Sequence, residues 1–312
     1  MASTDALASG VNSEPTVLAV DVGGTSIKAA LCGRDCTVLA TAARDTPVAD
    51  GVPAVVTAIC AVIEELAAGH AVSGVGLILP GVVDAAGGIA RYSANIGWRE
   101  LAIADQVAGR VGLPVAIEHD VRAAGLAEAR LGAARDVSDA LFIGIGTGIA
   151  AASIVDGRLV SGAANLAGEI GHLPAVPDGE RCSCGQRGCT ETYASAAALA
   201  RRYRDQTGRP APAAEVIRLA GQGDPIARTV YDEALTALAR ALIGCILLLD
   251  PQLVVIGGGL SLAGDALLLP LAERIRAGLA WRPEVPLRPA RFGDQSGRIG
   301  AALIGWQAVA TR

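Results

Sequence analysis

A short pattern occurs twice in this chain. Val20 to Ile27 (VDVGGTSI) and Phe142 to Ile149 (FIGIGTGI) align at a constant offset of 122 residues. Gly24-Thr25 meets Gly146-Thr147, and Ile27, Ala29 and Ala30 meet Ile149, Ala151 and Ala152. Each copy is an apolar run, a glycine turn and a second apolar run, which predicts strand, turn, strand. The repeat implies a duplicated α/β domain whose two loops grasp one polyphosphate; chance similarity in a Gly- and Ala-rich chain is the other explanation. Amides of a glycine turn can approach a phosphate because no Cβ stands in the way, although most such turns only close a hairpin. Asp21 meets Ile143, so only the first copy carries an acid. Asp21 and Lys28 are candidate partners of a metal–phosphate group.

The second constraint is the stretch from Glu169 to Glu191, EIGHLPAVPDGERCSCGQRGCTE. His172, Cys182, Cys184 and Cys189 stand there at metal-ligand spacing, and this donor set suits a closed, tetrahedral, structural zinc site. Prolines and glycines give the loop no reason to fold alone, so a metal would fix it and with it the flanking Glu169 and Glu191. Reduced core cysteines beside an unrelated histidine are the alternative. A disulfide fits less well, because three is an odd number and nothing points to secretion.

Composition excludes several classes. A net charge of -5 lacks the basic signature of a nucleic-acid or membrane-surface partner. With 52% hydrophobic but only 3% aromatic residues, the core must be built from Ala, Val, Leu and Ile. No apolar run reaches the roughly 18 residues of a membrane span; one run, Cys245 to Leu249, is expected to be a buried helix end. Residues 1–15 have no signal-peptide pattern and are expected to be a disordered tail, which points to a cytoplasmic protein. Cys32, Cys36, Cys60 and Cys245 stand singly and need only packing explanations.

Along the chain, the pattern predicts a helix over Pro53–Ala68, a buried strand over Val75–Leu79 and a short hairpin around Gly87-Gly88. A loop carrying Asn95-Ile96-Gly97-Trp98 follows, then a helix over Glu100–Val111. The strand Val115–Ile117 ends in Glu118-His119-Asp120, before a helix over Val121–Leu131. An acid between a strand's carboxyl end and a helix N-terminus holds the usual ligand position of an open α/β sheet, and it is equally a helix N-cap. Further helices are expected over Ala194–Arg204, Ala213–Gln222, Pro225–Leu249, Ala266–Ala280 and Ile299–Ala310. The strand Leu253–Ile256 runs into Gly257-Gly258-Gly259, a turn apt for a flat ring or a ribose. Residues 282–291 are expected to be irregular.

Taken together, these stretches resemble the ROK family of repressors and kinases. GEIGH at 168–172 with CSCGQRGCTE at 182–191 is the most specific segment; DVGGTSIKAA, NIGW, IGTGI and VVIGGGLS support it in order. The resemblance implies a two-lobed α/β fold of the actin-like, sugar-kinase and Hsp70 ATPase type (ribonuclease H-like) with a structural zinc loop over 169–191. It places the first lobe at about 16–117 plus 299–312, and the second at about 118–298. With only a short segment before the first strand, the kinase branch is favoured over the repressors, which carry a helix-turn-helix domain. The implied activity is ATP-dependent 6-phosphorylation of a glucopyranose-type sugar in a dimer or tetramer that binds neither nucleic acid nor membrane.

Site roles follow from the same resemblance. Asp120 matches the aspartate that takes the proton of the sugar 6-hydroxyl. Asp21 would hold the Mg2+ shell. Gly23, Gly24, Thr25, Lys28, Gly146, Thr147 and Gly148 would bind the ATP phosphates, and Gly257, Gly258 and Gly259 would line the adenosine pocket. Asn95, His119, Glu169, His172 and Glu191 match sugar ligands. His172 would serve twice, one ring nitrogen on Zn2+ and the other toward a sugar hydroxyl, with the metal fixing the tautomer. The sequence departs from the pattern at His119, where glucokinase-like members carry Asn against the sugar 3-hydroxyl. That puts three substrates in view: glucose, a 3-modified aminohexose such as kanosamine, and an N-acetylhexosamine. A non-catalytic sugar sensor is the remaining alternative.

Overall fold

The computed structural model describes residues 14–310. The tail expected over 1–15 falls, as far as residue 13, outside the described residues. Two compact units emerge, the chain up to Asp120 with Arg298 onward, and Val121–Gly297.

The first unit is built on a five-stranded sheet. β1 (Thr16–Val22) and β2 (Ser26–Cys32) form the first glycine hairpin, and β3 (Val38–Asp45) adds to its edge. β3 has no counterpart among the sequence expectations, because its residues, VLATAARD, show no buried run and only half-bury. After α1 (Val52–Ala67), the strand β4 (Val72–Leu79) pairs parallel to β1. A small three-stranded sheet follows, made of β5 (Val82–Asp84), β6 (Ile89–Tyr92) and β7 (Arg99–Leu101). The helix expected from Glu100 begins instead at Ile103, as α2 (Ile103–Val111). Arg99 to Leu101 are taken by strand pairing, and Glu100 has a φ of 44°, which a helix cannot continue. β8 (Val115–His119) pairs parallel to β4 and completes the order β3-β2-β1-β4-β8.

The helix Ser296–Ala310 returns to this unit from far along the chain. It lies directly on β4: a Cβ built on Gly76 would sit 1.8 Å from the carbonyl oxygen of Ala301. No side chain fits there, so glycine is required. Trp306 donates from its indole nitrogen to the Gly33 carbonyl, tying the helix to the turn after β2. Leu18, Val20, Ile59, Ile63, Leu77 and Val107 are fully buried in the core between sheet and helices.

The second unit repeats the plan. It opens with α3 (Asp120–Arg130), whose first residue is still counted with the first unit. β9 (Ala140–Ile145) and β10 (Ile149–Val155) form the second glycine hairpin, extended by the short β11 (Arg158–Leu159). The metal loop and four helices follow: α4 (Glu191–Ala194), α5 (Ala196–Thr207), α6 (Ala213–Gly221) and α7 (Pro225–Leu249). β12 (Leu253–Gly257) then pairs parallel to β9, α8 (Asp265–Gly278) packs on α7, and β13 (Leu287–Pro289) closes the sheet. The order β11-β10-β9-β12-β13 matches that of the first sheet strand for strand, so the repeat at 122 residues is a duplicated topology.

Three expectations need correction here. The helix expected over Ala194–Arg204 is broken at Ser195, which is extended (φ -70°, ψ 157°) and caps α5 by accepting from the Ala198 amide. Pro-rich 282–291 contributes β13, an edge strand whose Pro289 has no donor to give. The end of α7 is not buried throughout: Cys245 and Ile246 are, but Leu247 is 50% and Leu248 84% exposed. A run of five apolar residues covers more than one full turn, so part of it must face away from the core.

One anchor in this unit has no motif. Glu128, on α3, is fully buried, and its two oxygens accept from the amides of Ala133, Arg291 and Phe292 and from the Ser296 hydroxyl. It pins the segment 291–296 to α3.

Candidate active site

In the first unit, the strand ends place the acids. Asp21 sits near the carboxyl end of β1, opposite Lys28 on β2 and Ile78 on β4. Its carboxyl group is pushed up to about 6, first by burial and then by the charge of Asp120, with Lys28 opposing. Asp120 begins α3 directly after β8, so the strand–helix junction holds both roles open in the sequence: ligand position and helix start. Its Oδ1 lies 3.2 Å from the Nε2 of His119, whose ring is nearly buried while Asp120 is partly open. The turn Gly23-Gly24-Thr25 is held by Thr46, whose hydroxyl donates to the Gly23 carbonyl and whose amide donates to the Thr25 carbonyl. Asn95 lies against this turn, its Cβ 3.5 Å from a Cβ built on Gly24. Thus Asp21, the glycine turn, Asn95, His119 and Asp120 all stand at one end of one sheet. Thr46 carries no motif and could not be found from sequence.

In the second unit, Gly146-Thr147-Gly148 closes the β9–β10 hairpin, with the Gly146 amide donating to the Gly148 carbonyl. Thr147 is exposed. A Cβ on Gly148 would meet the Oε2 of Glu191 at 2.6 Å, so a side chain here would have to push aside a carboxylate packed on the loop. The Ile149 amide donates to that same oxygen at 2.8 Å. Gly257-Gly258-Gly259 ends β12, beside β9. Gly259 and Leu260 line a cavity of 490 Å3 whose other walls include Ala213, Ile217, Ala266 and, as its one charged side chain, Arg218. Its apolar lining suits a flat purine ring. A larger hollow of 740 Å3 between α6, α7 and α8 carries none of the expected site residues.

The metal loop gathers its four predicted ligands. His172, Cys182, Cys184 and Cys189 present ligand atoms that all lie within 4.8 Å of one another. Cys182 Sγ is 3.7 Å from His172 Nδ1, and Cys184 Sγ is 3.7 Å from Cys189 Sγ. Those separations are what thiolates and an imidazole at ~2.3 and ~2.1 Å from one zinc ion require. Burial and the neighbouring thiols push the Cys189 thiol up to about 12, whereas the Gln186 amide holds Cys184 below its usual value. Packing such sulfurs together is unfavourable without a cation, so the residues fit Zn2+. Nδ1 faces the sulfurs, and Nε2 points the other way, 3.9 Å from Glu169 Oε2. Glu191, at the other end of the loop, has its Oε2 3.3 Å from a Cβ built on Gly171, next to His172. The loop between β11 and Glu169 is steadied by Arg122, a buried cation on α3 that donates to the Asn165 carbonyl.

The model of the ROK family matches residues 17–308. The chain belongs to the ROK family. It is 35% identical over 307 residues to the glucokinase of Thermotoga maritima, covering 92% of this chain and 96% of that protein. It is 32% identical over 296 residues to the N-acetylmannosamine kinase of Salmonella typhi, covering 93% and 98%. The fold matches the crystal structure of a ROK glucokinase from Streptomyces griseus in complex with glucose and AMPPNP, with a TM-score of 0.82, 33% identity and coverage of 94% and 99%. The mixed-sheet α/β architecture is that of the actin-like sugar kinases of this family. Among the described residues, no helix is long and apolar enough to cross a membrane.

Proposed function

We propose that the chain is an ATP-dependent hexose 6-kinase acting on a glucopyranose-type sugar. The observation that carries this reading is the placement of Asp120 at the end of β8, partly exposed and within electrostatic reach of the buried Asp21. The family relatives, kinases of glucose and of N-acetylated hexosamines, support the substrate class.

In the proposed reaction, the sugar O6 attacks the γ-phosphorus of ATP, the O6–P bond forms and the bond to the bridging β–γ oxygen breaks, leaving ADP. Asp120 receives the hydroxyl proton and passes it to solvent. Because the transition state is loose, Asp120 works as much by aiming the 6-hydroxyl as by its basicity. The turns Gly23-Gly24-Thr25 and Gly146-Thr147-Gly148 offer backbone amides to the phosphates, Lys28 adds a cation, and the cavity beside Gly259 takes the adenine. Mg2+ would neutralise the phosphate charge, with Asp21 holding its shell. Asn95, Glu169, Glu191 and the Nε2 of His172 accept or donate to sugar hydroxyls, and Zn2+ held by His172 Nδ1, Cys182, Cys184 and Cys189 would fix the loop that carries the last three.

His119 bears on the choice of sugar. Its Nε2 is turned to the Asp120 carboxylate, and its buried ring is bulkier than the family's asparagine. Glucose, a 3-amino hexose such as kanosamine and an N-acetylhexosamine are therefore the candidates to separate. The decisive experiment is an ADP-coupled assay of kcat/KM for glucose, kanosamine and N-acetylglucosamine. A hundredfold preference, about 2.7 kcal/mol in the transition state, assigns the sugar. No turnover of any hexose with Mg-ATP refutes the kinase reading and leaves a sugar sensor.

A further inference from the structure

The metal loop grips the β9–β10 hairpin at both of its ends. Before the loop, the Gly168 carbonyl accepts from the Ala151 amide at 2.7 Å, and a Cβ on Gly171 would sit 2.3 Å from the Ile149 carbonyl oxygen. After the loop, Glu191 Oε2 accepts from the Ile149 amide, and the Ala196 amide donates to the Gly146 carbonyl at 2.9 Å. The two limbs are joined to each other where the ligands His172 and Cys189 stand. Pro174 bridges Cys189, and Thr190 donates from both its amide and its hydroxyl to the Leu173 carbonyl. Glu191 and Thr147 also line one cavity of 590 Å3, together with Cys182 and Arg201.

A carboxylate that accepts from the Ile149 amide fixes the peptide plane between Gly148 and Ile149. That plane also carries the Gly148 carbonyl, which accepts from the Gly146 amide, so it braces the turn whose amides would have to converge on phosphate oxygens. Hydrogen bonds to a charged acceptor are the strong ones, and this one spans the join between loop and hairpin. We infer that Glu191 is a positioning residue for the phosphate hairpin, through which the metal loop sets nucleotide affinity as well as presenting sugar ligands. The inference rests on the kinase reading above.

The test is binding of Mg-ADP by calorimetry with no sugar present, where a residue that only touches sugar has no effect. Glu191→Ala should weaken Mg-ADP by about tenfold, equal to ~1.4 kcal/mol, and speed amide exchange at Ile149. Glu191→Gln keeps an oxygen for the Ile149 amide and should bind Mg-ADP within a few-fold of the parent. Glu169→Ala, which removes a sugar ligand outside these contacts, should leave Mg-ADP binding unchanged. Parent-like Mg-ADP affinity and Ile149 exchange in Glu191→Ala would overturn the inference. Should that variant not fold, Ile149 exchange in the parent protein before and after zinc chelation decides. Faster exchange after chelation supports the coupling; unchanged exchange overturns it. A parent protein that fails to bind Mg-ADP at all refutes the kinase reading itself, while the role of Glu191 in protecting Ile149 can still be measured.

Discussion

Asp21 should make the free protein less stable than it could be. Its carboxyl group titrates near 6 in the folded chain against 3.8 for a free aspartate. A raised acid pKa means that the native state holds its proton more tightly than the unfolded one. Stability is therefore unaffected below about pH 4, declines as pH rises through the window from about 4 to 6, and stays reduced above it. The gap of about two units corresponds to roughly 3 kcal/mol. Asp21→Asn removes the ionisation and should stabilise the first unit by about 2–3 kcal/mol at pH 7.5, with the gain fading near pH 4. Urea unfolding followed by tryptophan fluorescence, in buffer free of magnesium and nucleotide, is suited to the measurement. Trp98 is buried and Trp306 partly so, both in the first unit, whereas Trp281 is 78% exposed and changes little on unfolding. The same variant should lose at least a hundredfold in kcat. A variant no more stable than the parent at pH 7.5, or equally stabilised at pH 4 and pH 7.5, would refute the burial argument.

Other outcomes follow from the same geometry. Asp120→Asn should lower kcat by about a thousandfold, within the usual span for a lost proton acceptor, while sugar affinity by calorimetry changes little; surviving turnover would remove Asp120 from its role. Metal analysis of the purified protein should give about one zinc per chain, and Cys182→Ser should lose it together with sugar affinity. Glu128→Ala leaves three half-buried amides and the buried Ser296 hydroxyl without their acceptor and should destabilise the second unit by about 3 kcal/mol in chemical denaturation.

Much of the site is legible because its chemistry depends on short local patterns. The two glycine turns and the acid after β8 are each set within a few residues and the four candidate metal ligands between residues 172 and 189, and glycine, cysteine and histidine are hard to substitute in such roles. The four candidate ligands could be picked out by spacing because a tetrahedral site needs these residue types, and the structure brings their ligand atoms within 4.8 Å of one another. What sequence could not supply are contacts across long separations. Thr46 holding the turn at Gly23, Glu128 gathering amides from residues 133 to 292, and Glu191 binding the Ile149 amide carry no local signature. β3 and β13 escaped for another reason: edge strands bury little, so their hydrophobic alternation is weak. The exposed Leu247 and Leu248 show that an apolar run fixes a helix but not which of its faces is covered.

The close seating of Ala301 on Gly76 has a consequence for how the chain is made. The first sheet is threaded early, but the helix that covers it at Gly76 is synthesised only after all of Val121–Gly297. During synthesis the second unit, continuous in sequence, can complete its fold while the first still shows an uncovered strip along Val17, Gly74 and Gly76. Such exposed apolar strands are where nascent chains aggregate. The step that finishes the first unit is a contact of very high sequence separation, the kind that slows folding. Nascent chains of this protein thus carry a late, vulnerable interval in which the acids of the first sheet are present but their supporting layer is not.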